Sequence, residues 1–363
     1  MHKTSRTIPQ VVLVLIWLCL PLGAAPCELS AGLCLFVAAF WGVNTHRPFL
    51  MPVLAIAAAW ILPSLSSGTE GLIASLGEAW HLVLLIAIPP LLIQLETHTD
   101  WLKTLETLGL CAAAVAGLWA MGDLIASGIP PWVQPGRGPF SHHLTLGYAL
   151  IPPASIAILH QRWVFGALIA LGILAAGASG PLLALSIVLA AARFEPIFCL
   201  FAGLGLSLCI MLILDGNPEL QTRITHWTAG AQVIVDDPGG QGIVEATHRF
   251  QSEERSLSTM IGPERHAHDS VLQWGMFGGV GAWLAWVWLL SRLWSQTRRA
   301  GKTAIAALGV SALTQDVFGD LEVIRALCAW CVLDLYPRAT VTVSEPHQRG
   351  YNSTTVVSAP RSS

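Results

Sequence analysis

Charge is what this chain lacks. Charged side chains make up 11% of its 363 residues, against 54% hydrophobic ones, where a soluble domain carries about 25% charged residues. That deficit excludes an ordinary water-soluble globule, and the mean hydropathy of +0.62 points the same way. Before residue 303 the apolar stretches themselves hold almost no ionisable groups. The formal net charge is only −3, and no nucleic-acid partner is expected. Internal repeats are absent as well.

What is present is a succession of apolar runs. Crossing a bilayer as helix takes about 20 mostly apolar residues. Roughly twelve such runs can be counted, at about 9–26, 27–44, 48–65, 78–95, 107–127, 144–160, 163–178, 181–194, 196–214, 269–291, 303–318 and 321–336. The expected fold is therefore all-α, a polytopic membrane protein with roughly 10–12 transmembrane helices. The division of the chain follows from this. N-terminal helices fill 1–127, a loop and central helices 128–214, a large loop 215–268, C-terminal helices 269–336, and a disordered cytoplasmic tail 337–363.

Basic residues orient the chain, because cytoplasmic loops hold the excess of Lys and Arg. With the amino terminus inside, Lys3, Arg6, Arg47, Lys103, Arg162, Arg193, Arg292, Arg298, Arg299, Lys302, Arg338, Arg349 and Arg361 fall on the cytoplasmic side, thirteen of nineteen. The remaining Arg137, Arg223, Arg249, Arg255, Arg265 and Arg325 lie on or near the opposite face, where topology alone gives no reason for them. The first 27 residues also have the outline of a signal peptide; a retained first helix is the favoured reading. The eight cysteines lie in apolar runs and read as small core residues, Cys328 and Cys331 included.

Two outward segments stand apart from the short connections. From Gly128 to His143 four prolines and several glycines forbid a regular helix. From Asp215 to His268 lies a stretch too short for a core of its own, so it must rest on the membrane helices. Leu220, Ile224, Trp227, Ala231 and Ile234 recur at helical spacing and predict an apolar stripe. A turn at Asp237–Gly242 follows, then a second helix over about Val244–Arg255 and a mobile polar stretch to Arg265.

This outer face gathers Arg137, His142, His143, Arg223, His226, His248, Arg249, Arg255, Arg265, His266 and His268. Guanidinium groups bind phosphate in bidentate fashion and stay charged, and imidazole accepts protons near neutral pH. The combination suggests transfer of a group off a lipid pyrophosphate. Plainer roles compete: Arg249, Arg255 and Arg265 alternate with Glu245, Glu253, Glu254 and Glu264 as a solvated face would, Arg223 could anchor a surface helix, and His142 and His143 could cap the helix that follows.

Three stretches carry a resemblance. They are His268-Asp-Ser-Val-Leu-Gln-Trp-Gly-Met-Phe-Gly-Gly-Val-Gly281, Arg223-Ile-Thr-His-Trp227 followed by Pro238 and Gly242, and Gly138-Pro-Phe-Ser-His-His-Leu-Thr-Leu-Gly147; Ala178-Ser-Gly-Pro-Leu-Leu-Ala-Leu185 adds a small-residue helix start. Together, over roughly residues 130–335, they resemble the O-antigen ligase and O-antigen polymerase family of bacterial inner-membrane proteins. Asp269 stands where that family has Asn, and Ser179 where it often has Arg. The resemblance implies a type-C glycosyltransferase-like fold with one large periplasmic loop and an active site facing the periplasm. It implies glycan transfer from an undecaprenyl-pyrophosphate-linked donor to a lipid A-core or glycan acceptor, among membrane lipids and with neither cofactor nor metal. His268 and Asp269 would be catalytic, and Arg223, Arg137, His142, His143, His266 and Trp227 would bind substrate. Ligase, polymerase and protein glycosyltransferase remain open. So do two other classes: a transporter or metal-handling protein using His142, His143, His266 and His268 as ligands, and a non-catalytic scaffold.

Overall fold

The computed structural model describes residues 4–22, 24–41, 49–95, 99–140, 142–213, 218–257, 269–313 and 315–335. Among them there are helices and no strand. Helices α1 (Thr4–Cys19), α2 (Ala24–Trp41), α3 (Leu50–Ser64), α4 (Gly68–Trp80), α5 (Val83–Leu95) and α6 (Thr99–Ser127) form the first half. After the proline-rich loop come α7 (His143–Ala149), α8 (Ile151–Leu159), α9 (Trp163–Ala175), α10 (Ser179–Ala190) and α11 (Pro196–Ile213). The polar segment folds as α12 (Pro218–Asp236) and α13 (Ile243–Leu257), and α14 (Ser270–Gln296), α15 (Arg299–Ser311) and α16 (Leu321–Leu335) close the bundle.

Among the described residues, three helical stretches, Leu50–Leu92, Asp100–Ser127 and Ser270–Gln296, are long and apolar enough to cross a membrane, fewer than the 10–12 expected from the apolar runs; six shorter apolar helices accompany them. Large apolar side chains stand exposed on many helices, among them Phe36, Leu62, Trp119, Phe198 and Leu284. In water a surface of that extent invites association; against lipid it is the stable arrangement. All-helical architecture and apolar exterior together fit a membrane-associated protein.

The helices differ from the apolar runs in instructive ways. The expected helix at 144–160 is two, α7 and α8, because Pro152 and Pro153 sit in the first turn of α8, where a missing N–H leaves nothing unpaired. Helix α4 has a mixed composition that hid it from the hydropathy pattern. It folds back on α3, where Ser75 Oγ meets Ser64 Oγ at 2.6 Å.

Side-chain contacts sort the helix ends into two sets. At one end Trp80 Nε1 donates to Glu28 Oε2 at 2.6 Å, Arg325 Nη2 lies 3.0 Å from the same carboxylate, and Thr145 Oγ1 donates to Asp320. At the other, Asp334 accepts from the backbone N–H groups of Arg298 and Gly301, both at 2.9 Å. Glu106 and Asp334 there flank His160 at 3.7 and 3.9 Å, and Arg299 donates to the Phe194 carbonyl at 2.9 Å. The second end is where Lys103, Arg162, Arg193, Arg298, Arg299 and Lys302 cluster in sequence. The first carries the helix starts of α7, α14 and α16.

Candidate functional site

The first end is organised around a break in α14. Gly279 has φ 60° and ψ −153° inside the helix, a backbone conformation open to glycine and costly for other residues. A broken helix frees amides and carbonyls that must find partners when buried. The turn Asp237–Gly242 supplies them. Gln241 N–H donates to the Met276 carbonyl at 3.2 Å, Gly242 N–H to Phe277 at 2.9 Å, and Val280 N–H to Pro238 at 3.0 Å.

Approach at this range leaves no room for side chains: a Cβ on Gly240 would collide with Gly278 and Gly279, and one on Gly279 with the Pro238 carbonyl. Two of the glycine-bearing stretches singled out in sequence are therefore the two faces of one joint. An aromatic layer steadies it. Trp274, before the break, stacks on Trp286, after it, at 4.3 Å and 7°, and on Phe318 at 5.5 Å.

Helices α12 and α13, joined through that turn, lie over this end. Their facing differs from the sequence expectation. The buried residues of α12 are His226, Ala229, Gly230, Val233 and Ile234, whereas Ile224 and Ala231 are exposed. The helix is rotated because α13 competes for it: His226 Nε2 meets Glu254 Oε1 at 2.9 Å, both nearly fully buried, and Arg249 reaches Asp236 at 2.6 Å. His226 and Arg249 thus hold the two helices together. The second helix is found as expected, extended slightly to Ile243–Leu257.

Rotation brings Arg223 to the link between α15 and α16. Its Nη1 and Nη2 both lie 2.8 Å from the Gln315 side-chain amide, which accepts from both once the amide is turned to present its oxygen. From the same link Asp316 Oδ1 accepts from Ser270 Oγ at 3.1 Å, and the Phe318 N–H donates to that hydroxyl at 3.0 Å. Ser270 begins α14. Just before it, Asp269 Oδ1 caps the helix, accepting from Val271 N–H at 2.7 Å and Leu272 N–H at 2.9 Å. Burial pushes the Asp269 carboxyl up to about 6, the two amides pull it down, and Asp316 adds to the rise. Four residues after Asp316, Asp320 Oδ2 accepts from Thr145 Oγ1 at 2.9 Å. It is pushed up to about 7, chiefly by burial, against the Thr145 bond and with Asp316 and Glu322 adding to the rise.

Thr145 lies one turn into α7, so this bond joins the link to the proline-rich loop. At the start of α7 His142 is the N-cap, its Nδ1 accepting from Leu144 N–H at 3.2 Å. The His143 ring lies 4.4 Å from it. Burial holds both imidazoles below their ordinary value; Arg137 lowers His142 further, and His142 and Arg137 lower His143. Arg137 itself is exposed, and Trp227 is half-buried with its indole N–H lacking a hydrogen bond among the described residues.

The structure thus brings Arg223 and the start of α14 to the same link between α15 and α16, which Asp320 and Thr145 connect to the segment bearing Arg137, His142 and His143. His266, His268 and Arg265 lie outside the described residues, although His268 directly precedes Asp269 in sequence. No group of three metal-ligating side chains occurs among the described residues. Sequence reasoning passed over Thr145, Gln315, Asp320 and Glu78; Glu78 on α4 lies within electrostatic reach of Asp316 and Asp320. The available signal was a pair of aspartates in the short polar link between the last two apolar runs, on the same side as the large loop. No protein-family model matches this chain, and no curated protein matches it.

Proposed function

We propose that the protein is an inner-membrane glycosyltransferase of the O-antigen ligase kind, taking a glycan from undecaprenyl pyrophosphate to an acceptor hydroxyl on the periplasmic face. In this reading the chain crosses the bilayer roughly 10–12 times, and α12, α13 and the end bearing Arg223 face outward. The observation that carries it is the meeting, at one helix-bundle end, of the guanidinium of Arg223 with the start of α14 and the α7 segment.

In the proposed reaction the acceptor oxygen attacks the anomeric carbon while the bond from that carbon to the pyrophosphate oxygen breaks, its electrons passing to the leaving group. Arg223, with Arg137 from the adjoining loop, balances that growing negative charge, an electrostatic role that is strongest where water is thin. The acceptor proton goes to His268, the base implied by the resemblance. Asp269, which follows His268 in the chain, caps α14. Asp320, held near neutrality by burial, is a second proton acceptor within the same polar cluster.

A polymerase would differ only in its acceptor, a second lipid-linked glycan. The test is glycan transfer in cells lacking their own ligase and polymerase, with the intact chain compared with Arg223→Ala and His268→Ala at equal membrane levels. Transfer by the intact chain and its loss, by a hundredfold or more, in both variants is the expected result. Variants as active as the intact protein would remove these residues from the site, and the transport reading, which draws on ionisable groups within the helices such as fully buried Arg325, would then lead.

A further inference from the structure

At the bundle's other end, away from Arg223, α10 and α11 diverge and leave an open groove of about 440 Å³. Its walls are apolar, with Leu183 and Ile187 on α10 and Phe198, Ala202 and Leu206 on α11; Phe194, in the turn between the helices, stands at its mouth. The floor is flat at Gly203, where a Cβ would press on Ile187 and on Val310 of α15. At the mouth one cation is held in place and others adjoin it in the chain. Arg299 Nη2 donates to the Phe194 carbonyl at 2.9 Å, and exposed Arg193 is the next residue in the chain, with Arg298 exposed beside Arg299. Glu195 is the one acid of that turn.

We propose that this groove binds one acyl chain of an anionic phospholipid, whose phosphate is held by Arg193 and Arg299. The inference rests on the membrane reading but not on the transferase reading. An open apolar groove with Arg299 at its mouth and exposed Arg193 in the adjoining turn matches a ligand with an apolar tail and an anionic head. A second copy of the chain is the poorer occupant, because two copies meeting here would bring their Arg193 and Arg299 groups face to face.

The test uses the full chain purified in detergent, with phosphatidylglycerol and phosphatidylcholine of identical acyl chains titrated in and read by native mass spectrometry and thermal unfolding. The anionic lipid is expected to be retained at about one per chain and to raise the unfolding temperature, with the zwitterionic lipid clearly weaker. R193Q/R299Q should weaken the anionic lipid by about thirtyfold, near fivefold per cation, and erase the preference. A202W, which fills the groove from an exposed position, should abolish retention of both. Equal effects of the two lipids on the intact protein would overturn the proposal, as would undiminished retention by A202W or a dimer that A202W converts to monomer. Membranes washed in alkaline carbonate separate the two levels of the argument: retention in the membrane without a lipid preference sinks the groove alone, and release from the membrane sinks the membrane reading with it.

Discussion

Arg325 is fully buried, and it pairs with Glu28, which keeps about two-fifths of its side chain exposed. Removing one member of a buried pair leaves the other charge uncompensated. Glu28→Gln is therefore expected to cost about 1–3 kcal/mol, below the usual range for buried pairs because water reaches Glu28. The double variant Glu28→Gln/Arg325→Met should recover much of that loss, as a cycle of unfolding measurements in detergent would show; simple addition of the two single losses would contradict the pairing. Asp320 makes a prediction of the opposite kind. Its carboxyl stands near 7 in the fold against about 4 in an unfolded chain, so the folded state disfavours its ionised form. Stability then falls as pH rises from about 4 through about 7 and the loss is complete above that. Asp320→Asn, which keeps an oxygen for Thr145, should flatten the decline in unfolding temperature between pH 5 and pH 8. An unchanged slope would mean that Asp320 ionises freely. Little of this was visible in sequence: Arg325 stood out as an arginine inside an apolar run, but Glu28 gave no sign of being its partner, because the two are far apart along the chain.

Helices were easier to read than their faces. Long apolar runs such as 107–127 and 163–178 announce helices because nothing in them can stay in water. The break in α14 was hidden inside such a run, since Gly278 and Gly279 look like any small-residue pair until the turn at Pro238–Gly242 is seen to fill the gap. The apolar stripe drawn on α12 was misplaced for a related reason: the period was correct, but His226 pairs with Glu254 and draws a neighbouring face inward. Gly279→Ala should therefore destabilise the protein by about 2 kcal/mol or more, from the positive φ and from contact with the Pro238 carbonyl. Gly309→Ala in α15, where a Cβ meets nothing within 4 Å, should stabilise it by up to about 1 kcal/mol. Thermal unfolding of the two variants side by side checks the joint, and equal behaviour would mean that the turn does not dock in the break.

Across the whole molecule, the charged groups among the described residues concentrate at the two ends of the bundle and in the few buried groups that tie helices together near them. Lys103, Arg162, Arg193, Arg298, Arg299 and Lys302 share the end held by Asp334, and α12 and α13 lie over the end held by Gly279. The contact pattern thus separates by packing the same helix ends that the positive-inside bias separates in sequence. Reading the sequence singled out the segments that loops display, those bearing Arg223 and His142, and passed over Gln315 and Asp320, which carry no motif and stand out only through their contacts with Arg223 on α12 and Thr145 on α7. The proposed function has this end transfer a glycan from a lipid pyrophosphate. Its most direct test is the purified protein in liposomes carrying a glycan-loaded undecaprenyl pyrophosphate and a lipid acceptor, with released undecaprenyl pyrophosphate and extended acceptor measured together. The account predicts that both products form in equal amounts and that Arg223→Ala loses both at least a hundredfold. Robust transfer by Arg223→Ala, or no release of undecaprenyl pyrophosphate by the intact protein, would contradict it.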